Sequence, residues 1–178
     1  KECCIPENKK IILGCSIFWE HRKGLNYFIQ LAKKLPVDYQ IVLIGNISEE
    51  KKKELIENNI ICTGRTKTFD EMVAWYQVAS VFCNPTMADN FPTVNIEALA
   101  AGTPVVTFNT GGSPEAIEES IGIVVEQGNI DKLYEAVIKI AENRSIYTKE
   151  NCIRRSLMFS NNQYDLYVKL YHEFASKN

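Results

Sequence analysis

Six short runs rich in branched apolar residues recur along the chain with little polar alternation inside them: 10–15 (KIILGC), 39–44 (YQIVLI), 60–63 (IICT), 80–84 (SVFCN), 104–108 (PVVTF) and 122–125 (GIVV). A strand with one wet face alternates apolar and polar residues, whereas a strand covered on both faces does not, so these runs read as a buried parallel sheet. Helical stretches fall between them, at 25–35, 49–58, 69–79, 92–101, 114–119 and 130–143. Strand and helix in alternation with short links predict an α/β domain with a Rossmann-like, doubly wound parallel sheet of about six strands and helices on both faces. Two more helices, roughly 148–158 and 161–176, end the chain without another strand. No internal repeat, low-complexity tract or linker interrupts it, and 1–178 reads as one domain.

Composition narrows the partners. At 178 residues, 46% hydrophobic and 24% charged, the chain can bury a sizeable core. A net charge of -2, with basic residues scattered among acids, argues against a nucleic-acid partner and for small molecules. The six cysteines (Cys3, Cys4, Cys15, Cys62, Cys83, Cys152) show no CxxC, and Cys15, Cys62 and Cys83 sit inside predicted strands, where a thiol acts as a small hydrophobe. That favours a reducing, cytoplasmic compartment, with peripheral attachment to the inner face of a membrane as the alternative. The two histidines, His21 and His172, have no second ligand at helical spacing, so no metal site is expected. No apolar run is long enough to span a bilayer, and no charged-then-apolar signal segment opens the chain. It begins with Lys1 in place of Met and is expected to be a fragment.

In an open parallel sheet, ligands bind where loops leave the carboxyl ends of the strands. The first such loop, 16–24 (SIFWEHRKG), carries Arg22 and Lys23 directly before a glycine and a helix start, where cations are electrostatically misplaced unless an anion joins them. Solvated surface charge is the plain alternative. In the loop after the fourth run (NPTMADNFPTVNIEALAAGTPVV, 84–106), Pro92 reads as the first helical residue and Gly102 as the terminator. Asp89 and Asn90 then stand beside free helix amides, which attract phosphate, while an ionised Asp89 accepts only hydroxyl or amide protons. Capping and ligand contact are equally open for Asp89. Glu97 lies roughly 7 Å further along the axis, leaning back toward the helix start. Val94, Ile96, Ala98, Leu99 and Ala101 surround it and leave it no obvious wet face, so a partner is expected for its carboxylate. The next loop, NTGGSPEAI (109–117), repeats the device, with Gly111 and Gly112 permitting close backbone approach, Ser113 as a cap, Pro114 starting a helix and Glu115 following.

The stretch ADNFPTVNIEALAAGTPVVTFNTGGSPEAI (88–117) resembles the signature of the GT4 family of retaining glycosyltransferases: an acid, seven residues, EALA, then GTPVV and a GG..E loop. The similarity extends to IILGCSIFWEHRKG, YQIVLIGN and ICTGRTKTFDEMVAWYQVASVFCNP. It implies the C-terminal, nucleotide-sugar-binding half of a two-domain GT-B enzyme, with the N-terminal acceptor domain outside this chain. By that resemblance Asp89 would contact hydroxyls of the transferred sugar, and Glu97 would hold the ribose hydroxyls. Lys23, with Arg22 beside it, would neutralise the diphosphate. Backbone amides in the segment from Asn90 to Thr93, which includes Phe91 and Pro92, would serve phosphates and sugar through its non-proline N–H groups, Gly64, Arg65 and Thr66 would line the nucleobase, and Gly14 would border the donor. Asp89, Lys23 and Arg22 are then the catalytic set. Asp replaces the commoner Glu at the first acid, NFP replaces Phe-Gly, and a basic residue the family carries some six positions before the lysine falls near Ile17, which leaves Arg22 as the second cation.

The implied activity is transfer of a sugar from a nucleotide-diphosphate sugar, a UDP- or GDP-sugar, to a glycan, lipid or other hydroxyl acceptor with retention of configuration, needing no cofactor or metal. Rivals are a noncatalytic α/β interaction module and a sugar-nucleotide epimerase or phosphorylase. A nicotinamide dehydrogenase lacks its fingerprint, since GCSIFWEHRKG contains no GxGxxG. Phe159, Tyr164, Leu166, Tyr167, Leu170, Tyr171 and Phe174 make the last helix aromatic on more than one side, suited either to the core or to the missing domain.

Overall fold

The computed structural model describes residues 5, 6 and 8–159, so the predicted helix 161–176 and its aromatic residues after Phe159 lie outside the described residues. Six strands, β1 (Lys10–Phe18), β2 (Tyr39–Asn46), β3 (Ile61–Gly64), β4 (Val81–Asn84), β5 (Val105–Phe108) and β6 (Gly122–Val125), form one sheet. All pair in parallel, in the order β3-β2-β1-β4-β5-β6. The helices are α1 (Leu25–Ala32), α2 (Glu49–Glu57), α3 (Phe69–Val78), α4 (Thr93–Ala100), α5 (Ile130–Glu142) and α6 (Lys149–Ser156).

The branched runs produce two cores through the period of the strand. Ile12, Ile41 and Leu43 point to one face, where Leu25 and Phe28 of α1, Leu55 of α2 and Leu133 and Val137 of α5 cover them. Ile11, Leu13, Val42 and Ile44 point to the other, against Tyr76 of α3, Ala98 and Leu99 of α4 and Cys152 of α6. Both faces are dry, which is why the strands do not alternate.

Helix starts differ in one respect that bears on ligand binding. Side chains of Ser48, Thr68, Asn129 and Thr148 accept backbone N–H bonds at the starts of α2, α3, α5 and α6. By contrast, α1 and α4 open with no side-chain cap. These are the two helices that leave the central strands β1 and β4.

Three boundaries depart from the sequence reading. β1 runs on to Phe18, because after an irregularity beyond Cys15 it continues to pair with β2, Phe18 lying opposite Asn46. Gly45 makes this possible: at φ 123 its missing Cβ would stand 1.7 Å from the Ser16 carbonyl oxygen. The predicted helix 114–119 is a single 3-10 turn, Ser113–Ala116, since Ile117 closes onto the Pro114 carbonyl and then extends. The stretch 148–158 is α6 followed by a 3-10 turn at Leu157–Phe159.

Candidate functional site

The strand order reverses between β1 and β4, and a doubly wound sheet opens a crevice at such a point. A cleft of ≈ 480 Å³ lies there, walled by the end of β1 and the turn after it, Cys15 to Glu20 with Arg22 and Lys23, and by Asn84 at the end of β4 with Asp89 and Phe91 to Val94 beyond it. Two loops that are distant in sequence are thus one surface.

Backbone bonds hold the loops in register. The Arg22 carbonyl accepts from the Met87 N–H at 2.7 Å and from the Thr86 hydroxyl at 3.2 Å. Gly24, at φ 76, packs so closely that a Cβ would meet the Pro85 carbonyl oxygen at 2.0 Å. Lys23 is therefore carried against Asp89, and its ammonium donates to Asp89 Oδ2 at 2.6 Å. Their side chains are 22% and 17% exposed, so this pair is sheltered and oriented into the cleft wall. Arg22, in the 3-10 turn His21–Lys23, turns to Glu20 at 3.2 Å with its side chain 54% exposed.

The Gly111-Gly112 loop supports the other side. Cβ atoms there would stand 1.9 Å from the carbonyl oxygens of Asp89 and of Asn90, and the Gly112 N–H donates to the Asp89 carbonyl at 3.2 Å. The close approach expected of these glycines is to the Asp89 loop itself. Met87, beside it, is held by the Thr110 hydroxyl and the Gln127 amide, both donating to its carbonyl, at 3.1 and 2.7 Å. Below lies a buried amide chain in which Asn84 Nδ2 donates to Asn95 Oδ1 at 2.9 Å and Asn95 Nδ2 to the Ser113 carbonyl at 3.4 Å.

Several expectations are corrected. Asp89 does not cap α4, and Pro92 is the N-cap residue with Thr93 the first helical one. Ser113 caps nothing, its buried hydroxyl having no partner among the described residues. Glu97 is exposed, because Thr93, Glu97 and Ala100 form the wet stripe of α4 while Asn95, Ala98 and Leu99 face inward. It nonetheless has partners: Tyr76 Oη donates to Oε2 at 3.0 Å and Thr93 Oγ1 to Oε1 at 3.2 Å. Gly14 does not border the cleft. It is buried within β1, where a Cβ would press on Phe28, Leu43 and Trp19 at 2.6, 2.8 and 3.1 Å, so its role is packing.

The remaining site residues are dispersed around the same end of the sheet. Phe91, Pro92 and Thr93 line the cleft, and Asn90 adjoins it with its side chain in solvent. Gly64, Arg65 and Thr66 leave the end of the outer strand β3 and are not on the cleft wall; beyond Gly64, at φ 76, is open space. Cys15, on the wall, is a neutral thiol, since burial and then the charge of Glu97 push it up to about 12. Burial, foremost, likewise holds the Tyr76 phenol protonated far above its ordinary range, so that it only donates to Glu97. Tyr76, Gln127 and the asparagine pair escaped the sequence reading; the Asn84-Pro85 break directly after a strand was a local sign of Asn84 alone.

Against known proteins, the family model described as Glycosyl transferases group 1 matches residues 4–156. An uncharacterized glycosyltransferase of Haemophilus influenzae is 31% identical over 161 residues, 80% of this chain and 44% of that protein. A GDP-mannose-dependent monoacylated alpha-(1-6)-phosphatidylinositol monomannoside mannosyltransferase of Corynebacterium glutamicum is 25% identical over 146 residues, covering 74% and 38%. Sucrose-phosphate synthase from Thermosynechococcus elongatus superposes with a TM-score of 0.83 at 22% identity, over 98% of this chain and 47% of that one. A glycosyltransferase from Rickettsia africae gives 0.83 at 20% identity, over 97% and 50%. The chain spans less than half the length of these two curated relatives, and the solved structures share its fold.

Proposed function

The chain belongs to the family of group 1 glycosyl transferases, and on that basis we propose that it is the donor-binding half of a retaining GT4 enzyme of GT-B architecture. It moves a sugar from a nucleotide-diphosphate sugar to a hydroxyl acceptor, a glycan or a lipid. The observation that carries this reading is the Lys23–Asp89 pair set into the cleft between β1 and β4, beside the uncapped starts of α1 and α4.

In the free protein the two charges satisfy each other. With a donor bound, the Lys23 ammonium turns to the diphosphate and Asp89 accepts from a sugar hydroxyl instead. When the bond between the anomeric carbon and the diphosphate oxygen breaks, its electron pair stays on the phosphate. Negative charge grows there, so Lys23, Arg22 and the first amides of α4 bind the transition state more tightly than the ground state. This reading gives neutralisation of the leaving group to side chains and amides, with no metal called on. Asp89 serves as a hydroxyl acceptor and not as a covalent nucleophile. Glu97 holds the ribose, and the Gly64-Arg65-Thr66 turn at the end of β3 faces the base.

A UDP- or GDP-sugar is the donor; the GDP-mannose dependence of the Corynebacterium relative favours keeping the second beside the first. The acceptor is bound by an N-terminal domain outside this chain, and the whole enzyme works in the cytoplasm, in solution or at the inner face of a membrane. No helix among the described residues is long and apolar enough to cross one. Calorimetric titration of the chain with UDP, GDP and ADP and their sugar conjugates tests the reading. One nucleotide should bind, and Lys23→Ala and Glu97→Ala should each weaken it; failure of all three to bind the folded chain defeats it.

A further inference from the structure

Glu97 is exposed yet held in place, and the way it is held limits what it can bind. One proton donor sits on each carboxylate oxygen: the Tyr76 phenol on Oε2 and the Thr93 hydroxyl on Oε1. The two differ in character. Thr93 is one turn back on the same helix and lies in solvent, whereas Tyr76 comes from α3, is only 2% exposed and packs edge-on against Phe82 of β4 with ring centroids 5.5 Å apart. Its backbone carbonyl is also fixed, accepting from the buried Thr103 hydroxyl. The phenol is thus anchored to the sheet and fixes the carboxylate from below.

An ionised carboxylate offers about four lone-pair directions, two on each oxygen. Tyr76 and Thr93 take one on each, which leaves one on each for a ligand. Each oxygen can therefore take one further hydroxyl, and two hydroxyls on adjacent carbons match one free acceptor on each of two neighbouring oxygens. We propose that Tyr76 is a positioning residue that orients Glu97 to accept from a vicinal diol, making the site selective for ribonucleotides over deoxyribonucleotides. This rests on the donor-site reading above and adds to it a residue, Tyr76, and a discrimination that follows from its geometry. Cys15, close to both groups and uncharged, does not compete with Glu97 for the Tyr76 proton as a thiolate would.

Without the phenol, Glu97 remains charged and solvated but is free to change rotamer, so it can still meet one hydroxyl and no longer presents a fixed pair. The loss falls on selectivity more than on affinity for the diphosphate, which other residues bind. A merely structural role for Tyr76 would weaken ribo- and deoxyribonucleotides alike.

The test is calorimetric titration of the chain with UDP, GDP and ADP, then of the one that binds against its 2′-deoxy analogue, in the wild type and in Tyr76→Phe, Thr93→Val and Glu97→Ala. The wild type should prefer the ribonucleotide by at least about tenfold, the scale of one hydrogen bond to a charged group. Glu97→Ala should abolish that preference, Tyr76→Phe should reduce it to about threefold or less while retaining the deoxynucleotide affinity, and Thr93→Val should reduce it by a smaller factor. If Glu97→Ala abolishes the preference but Tyr76→Phe leaves it intact, the donor-site reading stands and the role given to Tyr76 is overturned. Equal loss of both nucleotides in Tyr76→Phe overturns it too. If no nucleoside diphosphate binds the wild type, or Glu97→Ala changes nothing, the donor-site reading itself falls and this inference with it.

Discussion

Each end of the sheet carries a cluster of charge, and the two are built differently. At the amino ends of the strands, the Lys10 ammonium meets Glu142 and, at 3.4 Å, Asp38, while Tyr39 Oη donates to Glu142 at 2.6 Å. That cluster ties β1 and β2 to the end of α5, and Lys10 also lies over the Tyr39 ring, 5.1 Å from its centroid. At the carboxyl ends, Lys23 and Asp89 pair in the wall of a cleft of ≈ 480 Å³, between uncapped helix starts, on loops pressed together at glycines. An ion pair alone is no sign of a binding site. What separates the two is the size of the room for a third group, ≈ 480 Å³ beside Lys23 and Asp89 against ≈ 130 Å³ beside Tyr39, and a backbone shaped to leave that room.

Substitutions should break this contrast in a definite order. Lys23→Ala has the largest expected effect, about a hundredfold loss of nucleoside diphosphate affinity by calorimetry, because a charge-assisted bond to phosphate is removed. Its melting temperature should fall as well, by less than the affinity loss would suggest, because the sheltered Asp89 carboxylate loses its partner but keeps some contact with water. Gly111→Ala comes next. Its Cβ would enter the Asp89 carbonyl oxygen at 1.9 Å from a residue at φ 49, so the loop must shift, at about 1–3 kcal/mol of stability by denaturant titration and about tenfold in affinity. Glu142→Gln, at the opposite end, should leave nucleotide affinity unchanged and lower the melting temperature modestly; a marked loss of affinity there would erase the distinction between the two ends.

The smallest effect is one of pH. The Lys10 ammonium and then the Tyr39 hydroxyl, bonded to Glu142, hold its carboxyl below the ordinary 4.5. The folded state therefore binds this proton less readily than the unfolded chain. The resulting stability is present above the ordinary value and fades as pH falls through the lowered one. Acid unfolding curves of wild type and Glu142→Gln should converge at the acid end and separate above it.

Local pattern and long-range contact divide what the sequence discloses. The strands were legible because both faces of the sheet are dry, and the helices because they fall between those strands. The loops that bear the site were legible from Gly and Pro at helix boundaries. The pairing of Lys23 with Asp89 was not, because it depends on β1 lying beside β4. Nor was the extension of β1, which is fixed by its partner β2 through Gly45. Glu97 was misjudged by reading neighbours along the chain. Around a helix, Thr93 and Ala100 are its neighbours, and they are wet.

The crossed strand order also governs when this protein can come into being as it leaves the ribosome. β1 finds β2 through a short local excursion, Ile12 opposite Ile41, but its other edge waits for β4, Ile12 opposite Val81. Chain emerges at about 5–20 residues per second. For several seconds a nascent sheet therefore presents the open, apolar edge of its own central strand, a template for pairing with a neighbouring chain. The other half of the cleft, Asn84 to Val94, arrives together with β4, so closing the hazard and assembling the pocket are one event in synthesis.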